Sequence, residues 1–265
     1  MIVAEHLRKI FNRGGVNEAT ALDDLSIHVE KGEFVTIIGS NGAGKSTLLN
    51  CLAGTYPVEG GTIRLDGRDV TSWPEYRRAR YLGRVFQDPL VGTSASLTIE
   101  QNLALAVKRG RRRGLRIGVR NAHRDLFRAQ LSVLGLGLED RLKLSVGLLS
   151  GGQRQALTMV MATLIRPKLL LLDEHTAALD PKTARQILEL TREIIDGRRL
   201  TALMVTHNMH HALDLGNRLI MLHRGRIILD IRGAEKANTS VDDLLERFYS
   251  QQGESFATDR GLLSG

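Results

Sequence analysis

At 265 residues with 42% hydrophobic content, the chain is long enough for one large domain or two modest ones with a sizeable core. A single cysteine, Cys51, excludes a disulfide framework or a multi-cysteine metal site, and suits a reducing compartment. The formal charge of +8 and pI near 10.0 fit an anionic partner such as nucleic acid or a lipid surface.

The opening Met1-Ile2-Val3-Ala4-Glu5 lacks the basic and apolar regions of a secretion signal. No uninterrupted apolar run approaches the ~18 residues of a membrane span, so a cytosolic protein is expected. A strand is predicted over Ile2 to Leu7 and a second over Leu25 to Val29, where residues alternate with period two. Phe11 is expected in the loop between them, either stacked on an adenine or packed as core. The β-branched run Phe34 to Ile38 predicts a strand that runs into Gly39-Ser40-Asn41-Gly42-Ala43-Gly44-Lys45-Ser46-Thr47, and a helix from Lys45 to about Gly54.

Strand Thr62 to Leu65 then turns at Asp66-Gly67, and Ser72-Trp73-Pro74-Glu75 opens a short helix toward Arg80. Strand Leu82 to Phe86 ends at a polar amide, Gln87. From Thr98 to about Leu149 helical spacing takes over, with a capping box at Thr98-Ile99-Glu100-Gln101 and a helix over Arg124 to Leu134. The intervening Lys108–Arg116 segment holds six positive charges in nine residues, and reads as a solvated loop or a contact to anionic lipid head groups.

A helix opens at Leu149-Ser150-Gly151-Gly152-Gln153 and continues to about Ile165, before Pro167. Strand Leu169 to Leu172, helix Pro181 to Ile195 with Asp180 as N-cap, and strand Thr201 to Val205 follow in βαβ order, which implies parallel strands. A hairpin through Arg224-Gly225 and a short helix near Val241 to Phe248 complete the chain before a polar tail, residues 251–265.

The chemistry converges on phosphate. Glycines at 39, 42 and 44 let successive N–H groups point inward at phosphate oxygens, and the helix start adds its positive dipole end. Lys45 would reach the β- and γ-phosphates and the Ser46 hydroxyl would ligate Mg²⁺, so the motif asks for Mg-ATP or Mg-GTP. Leu169 to Leu172 is a fully apolar strand ending in Asp173-Glu174, at the edge where parallel sheets bind ligands. Phosphoryl transfer needs one carboxylate for Mg²⁺, here Asp173, and a second to align and deprotonate the attacking water, here Glu174. Ser150-Gly151-Gly152 reads either as a Gly-Gly turn capping a helix or as a second anion cradle, and the cradle makes sense if it serves a nucleotide held by a neighbouring copy.

Gly39 to Thr47, Gln87, Leu149 to Gln153, Leu169 to Glu174, Ala178-Leu179-Asp180 and His207 together resemble, in order and spacing, the ATP-binding subunits of ABC transporters, over about residues 2 to 250. The LSGGQ signature between a phosphate loop and a DE pair distinguishes that family. The resemblance implies an α/β fold: a P-loop NTPase core with a parallel sheet, an N-terminal antiparallel β subdomain and an ABC-type helical subdomain over about 88–165, forming a single domain over 1–250.

It also implies ATP and Mg²⁺ as ligands, with Phe11 stacking on adenine and Gln87 sensing Mg²⁺ and the transmembrane partner. Ser150 and Gly152, with Gly151 and Gln153 beside them, would meet the γ-phosphate held by the opposite subunit, Asp180 the dimer seam, and His207 the γ-phosphate in cis. The implied partners are a second copy, transmembrane permease subunits gripped by the helical subdomain, and an extracytoplasmic solute-binding protein. Such a complex puts the chain on the cytoplasmic face of the membrane.

Two departures stand out: His175 where the family usually has proline, and Ala156 where arginine is frequent. The Glu174–Asp180 variant is similar to importer subunits that work with branched-chain amino-acid-type permeases, which suggests an amino acid or related small solute. A nucleic-acid ATPase of the same superfamily fits the charge, but only about a hundred residues separate Lys45 from Leu149 and they show no sustained heptads. A non-hydrolysing sensor is at odds with intact Gln87, Glu174 and His207.

Overall fold

The computed structural model describes residues 1–110, 119 and 121–252. They form two compact units, one of residues 1–75 with 201 onward and one of residues 76–200. Arg111 to Arg116 of the basic segment, and the tail from Gly253, lie outside the described residues. Among the described residues no helix is long and apolar enough to cross a membrane.

In the first unit, β1 (Ile2–Phe11) pairs antiparallel with β2 (Ala19–Val29) and with β4 (Gly60–Leu65), which carries the short β5 (Arg68–Asp69). Both long strands exceed the sequence expectation, and the reason is bulging. The register shifts between Ala4 and Leu7, His6 and Asp24 take φ of 54° and 56°, and their side chains meet at 2.7 Å. A bulge moves later residues to the opposite face, so strict alternation is lost in the sequence. The β4–β5 corner is the expected one, with Asp66 and Gly67 at φ 52° and 80° as a type I′ turn requires.

The same unit holds β3 (Phe34–Gly39) between β8 (Ala202–Val205) and β9 (Arg218–His223), parallel to both, with β10 (Arg226–Arg232) antiparallel on β9. Phe34 to Ile38 are all buried, as a central parallel strand demands. Helix α1 (Lys45–Ala53) follows β3 and ends at Gly54, in the left-handed conformation at φ 83°. Helix α7 (Met209–Asp214) and the C-terminal helix α8 (Val241–Gln252) pack on one face, where Met209, Leu244 and Phe248 cover Ile38, Leu219 and Met221.

One buried charge binds this unit together. Arg218, 4% exposed, donates to both carboxylate oxygens of Asp230 at 2.6 and 2.7 Å, to the His28 carbonyl at 2.6 Å and to Glu33 at 3.3 Å. An uncompensated guanidinium at this depth would cost several kcal/mol, about 3–5 for a broken buried pair.

In the second unit, β6 (Leu82–Val85) and β7 (Leu169–Asp173) pair in parallel, with Val85 opposite Leu172. Helix α5 (Gly151–Thr163) approaches β6 so closely that a Cβ at Gly83 would lie 2.6 Å from the Ala162 carbonyl oxygen, so only glycine fits there. Helices α3 (Ile99–Val107) and α4 (Asn121–Ser132) complete a helical core in which Leu103, Phe127, Leu131, Leu142 and Leu157 are buried. The Thr98 capping box is present in full, and Glu100 holds Arg124 through bonds of 2.7 and 3.2 Å. The Ser72-Trp73-Pro74-Glu75 helix, α2 (Glu75–Arg78), is a single turn, shorter than expected.

Arg109 does not belong to a solvated run. Its guanidinium donates to the carbonyls of Ala162 (3.1 Å) and Ile165 (3.0 Å) at the end of α5, where the last helical turn leaves carbonyls without intrahelical partners.

Candidate functional site

Each of the three phosphate-loop glycines has its own reason. Gly39 has φ 148°, and a Cβ there would lie 2.2 Å from the Leu222 carbonyl oxygen on β9. Gly44 has φ 100°, with the Ala21 oxygen 2.3 Å from its would-be Cβ. Gly42 has φ 76° but nothing within 4 Å, so its side faces open space. Two glycines are thus crowded by backbone, and the third leaves room in front of the loop. That is the arrangement a bulky anion needs.

Lys45 is 5% exposed, and its ammonium donates to the carbonyls of Gly39 (2.8 Å) and Ser40 (2.9 Å). The charge is therefore held by the loop's own backbone carbonyls. Ser46 is exposed, Thr47 half-buried, and Ala43 packs inward; Ala43 N–H donates to Ser40 and the Ala43 carbonyl accepts from Gly225. Exposed Asn41 and Ser46 and half-buried Ser40 around a buried ammonium fit a Mg-nucleotide phosphate chain in their chemistry.

His207 lies in this unit too. Val205 of β8 pairs with Ile37 of β3 and Thr206 N–H donates to the Ile37 carbonyl, so exposed His207 emerges at the same strand ends as Gly39. Phe11 is the last residue of β1 rather than a loop residue, because Phe11 pairs with Ala19. Its half-buried ring meets Tyr56 edge-on at 5.4 Å, with the Lys9 ammonium 5.3 Å from the ring centre. Tyr56 carries no motif and was not legible as a partner.

In the second unit the matched register places Gln87 and Glu174 two residues beyond paired Val85 and Leu172. Asp173 and Glu174 are half-buried and Gln87 is exposed. Gln155, buried in α5, donates from Nε2 to the Phe86 carbonyl (3.2 Å) and ties that helix to the residue before Gln87.

Ser150 caps α5. Its Oγ accepts from Gln153 N–H and its own N–H donates to Gln153 Oε1, both at 3.2 Å. The Ser150-x-x-Gln153 spacing is that of a capping box, so the Gly151-Gly152 pair sits at a capped helix start. Gly152 is buried, and a Cβ there would lie 2.3 Å from the Thr183 methyl on α6 (Pro181–Arg198). Gly151 approaches Leu179. Asp180 caps α6 as expected, accepting from Thr183 N–H at 3.1 Å, and hydrogen bonding from the Thr183 side chain and then its backbone N–H holds the carboxyl below the usual range. The signature turn and the 178–180 turn thus pack together.

Comparison with known proteins agrees with this geometry. The family profile described as ABC transporter matches residues 22–177. A tyrosine transport ATP-binding protein of Clostridioides difficile is 46% identical over 248 residues, covering 94% of this chain and 98% of that protein. A methionine import ATP-binding protein MetN of Rhizobium etli is 40% identical over 78% of this chain, which spans 56% of that protein's length.

Among solved structures, the ADP conformation of MJ1267, an ATP-binding cassette of an ABC transporter, matches with a TM-score of 0.76 at 26% identity over 94% of this chain and 98% of that one. A dimeric post-hydrolysis state of the ATP-binding cassette MJ0796 bound to ADP and Pi matches with a TM-score of 0.74 at 27% identity over 88% of this chain and 98% of that one. The chain belongs to the ABC transporter family as one of its ATP-binding cassettes, a P-loop ATPase that takes ATP with Mg²⁺.

Proposed function

We propose that this chain is the ATP-hydrolysing subunit of an amino-acid importer, working as a pair of copies that close on two Mg-ATP and drive a separate permease. The observation that carries the reading is the phosphate loop: Gly39 and Gly44 locked by neighbouring backbone, space beside Gly42, and the Lys45 ammonium poised over the loop. The full-length likeness to a tyrosine transport ATP-binding protein supports an amino acid as cargo.

In this reading Gly39 to Thr47 wrap the phosphates, Lys45 exchanges its carbonyl partners for β- and γ-phosphate oxygens, and Phe11 stacks on the adenine. Ser46, Asp173 and Gln87 hold Mg²⁺, which supplies positive charge to the phosphate oxygens when bound. Glu174 takes the proton of the attacking water and His207 steadies the γ-phosphate. Ser150, Gly151, Gly152 and Gln153 of one copy face the γ-phosphate held by the other, with Asp180 on the seam between them.

The permease grips the 76–200 unit, where a cleft of about 730 Å³ is lined by Tyr76, Arg80, Arg84, Leu105, Arg109 and Met161. Its mixed cationic and apolar lining suits an amphipathic helix with acidic residues. An extracytoplasmic solute-binding protein delivers the cargo, and the cassette works at the cytoplasmic face of the membrane.

The test is Glu174→Gln. ATP binding is retained and turnover slows by about 10²–10⁴, the usual scale for a positioned base. Undiminished hydrolysis removes Glu174 from its role. In proteoliposomes carrying the permease, tyrosine or a related amino acid accumulates only with wild-type cassette and Mg-ATP inside; accumulation with the Lys45→Ala cassette refutes the coupling.

A further inference from the structure

We propose that His175 is a positioning residue for Glu174, acting through a hydrogen bond from its Nε2–H to the hydroxyl of Thr191. The inference rests on the reading of Glu174 as the base. It starts from the backbone: Glu174 has φ 45°, the left-handed region, where a non-glycine residue costs about 1–2 kcal/mol. Among the described residues of the 76–200 unit only Arg199 shares this feature, and Arg199 is the left-handed C-cap of α6. Glu174 directly follows the last residue of β7 and is no helix cap. A strained residue persists only where its surroundings over-determine it.

The over-determination comes from the next residue. His175 is 2% exposed, and its Nε2 lies 3.0 Å from Thr191 Oγ1. Thr191, fully buried, donates its one hydroxyl proton to the Ile187 carbonyl at 2.7 Å, one turn back on α6. With that proton committed, the threonine oxygen accepts toward the ring, so His175 Nε2 carries a hydrogen. The bond has a direction, and proline cannot supply it.

The anchor is rigid. Helix α6 runs 18 residues, begins with Pro181 and is capped by Asp180. The segment from 174 to 180 is thus fastened to one helix at both ends, by His175 to Thr191 and by Asp180 to Thr183. Between them Ala177 N–H donates to the Glu174 carbonyl and Leu179 N–H to that of Thr176. Freeing His175 releases the peptide that sets the direction of the Glu174 carboxylate, and an error of about 1 Å in a reacting group costs on the order of 10²-fold.

The experiment compares Thr191→Val, which keeps the shape and removes the acceptor, with Thr191→Ser, which keeps the acceptor. Steady-state hydrolysis by the full chain with Mg-ATP is expected to show kcat about ten- to hundredfold lower in Thr191→Val, with KM within twofold of wild type, and near-wild-type kcat in Thr191→Ser. His175→Gln, whose amide can donate from a similar position, retains more activity than His175→Ala.

In single turnover, Thr191→Val added to Glu174→Gln slows the reaction no further, whereas a merely structural defect would. If Thr191→Val fails to fold, the His175 pair decides by the same kcat and KM readout. Unchanged kcat in Thr191→Val or His175→Ala, with Glu174→Gln slow, overturns the positioning role and leaves the base in place. Wild-type turnover in Glu174→Gln overturns the base assignment itself.

Discussion

Alanine at each of the three phosphate-loop glycines should separate backbone strain, steric clash and phosphate access. At Gly42 an added Cβ meets nothing within 4 Å, so the cost to folding is the left-handed φ of 76° alone, about 1–2 kcal/mol. At Gly39 the Cβ would lie 2.2 Å from the Leu222 oxygen and 3.2 Å from the Ala43 Cβ, and at Gly44 2.3 Å from the Ala21 oxygen and 3.1 Å from Leu22 Cδ2. Ordinary contact begins near 3.5 Å, so strand backbone must move by more than 1 Å at either site. That adds overpacking of about 1–3 kcal/mol to the φ strain.

Urea unfolding should therefore rank Gly42→Ala well above Gly39→Ala and Gly44→Ala in stability. Mg-ATP titration should show the reverse dissociation of fold from function at position 42. There the protein is folded but binds nucleotide at least tenfold more weakly, because the methyl occupies the space left for phosphate. A Gly39→Ala protein as stable as wild type, or a Gly42→Ala protein with unchanged affinity, refutes the reasoning.

Removing the Asp230 carboxylate by Asp230→Ala leaves Arg218 buried with Glu33 and the His28 carbonyl, and should cost about 2–3 kcal/mol in urea unfolding, short of a fully broken pair; a change under 0.5 kcal/mol contradicts the network. Hydrogen bonding to Arg124 holds the Glu100 carboxyl below its usual pKa despite burial. Its stabilisation is accordingly complete above the unfolded value of about 4.3 and is lost as pH falls through the lower folded value. The stability gap between wild type and Glu100→Gln should be flat from pH 7 to 5 and close below pH 4, and a gap that widens in acid reverses the sign. Ser150→Ala forfeits the α5 cap for about 1 kcal/mol, while ATPase activity should fall well beyond what that loss of folded protein explains; activity tracking the folded fraction confines Ser150 to capping.

The fold was legible where local chemistry and burial agree. Phe34 to Ile38 and Leu169 to Leu172 are buried parallel strands and read as unbroken apolar runs. Asp180 before Pro181 and Thr98 before Gln101 announced their helices through capping chemistry. The long β1 and β2 were read short because bulges at His6 and Asp24 break the alternation, and α7 was missed because six residues carry too little periodicity. At the site, the phosphate loop and Asp173-Glu174 were readable from residue type. The reason for Gly152 was not, since it depends on Thr183 some thirty residues on, and the His175–Thr191 bond joins residues 16 apart that share no motif.

The most direct measurement is the mass of the Glu174→Gln protein in solution by light scattering, with and without saturating Mg-ATP. The account predicts monomer without nucleotide and a dimer holding two ATP with it, and loss of that dimer when Ser150→Ala is added. A Glu174→Gln chain that binds Mg-ATP stoichiometrically yet stays monomeric at high concentration, even with its permease present, contradicts it.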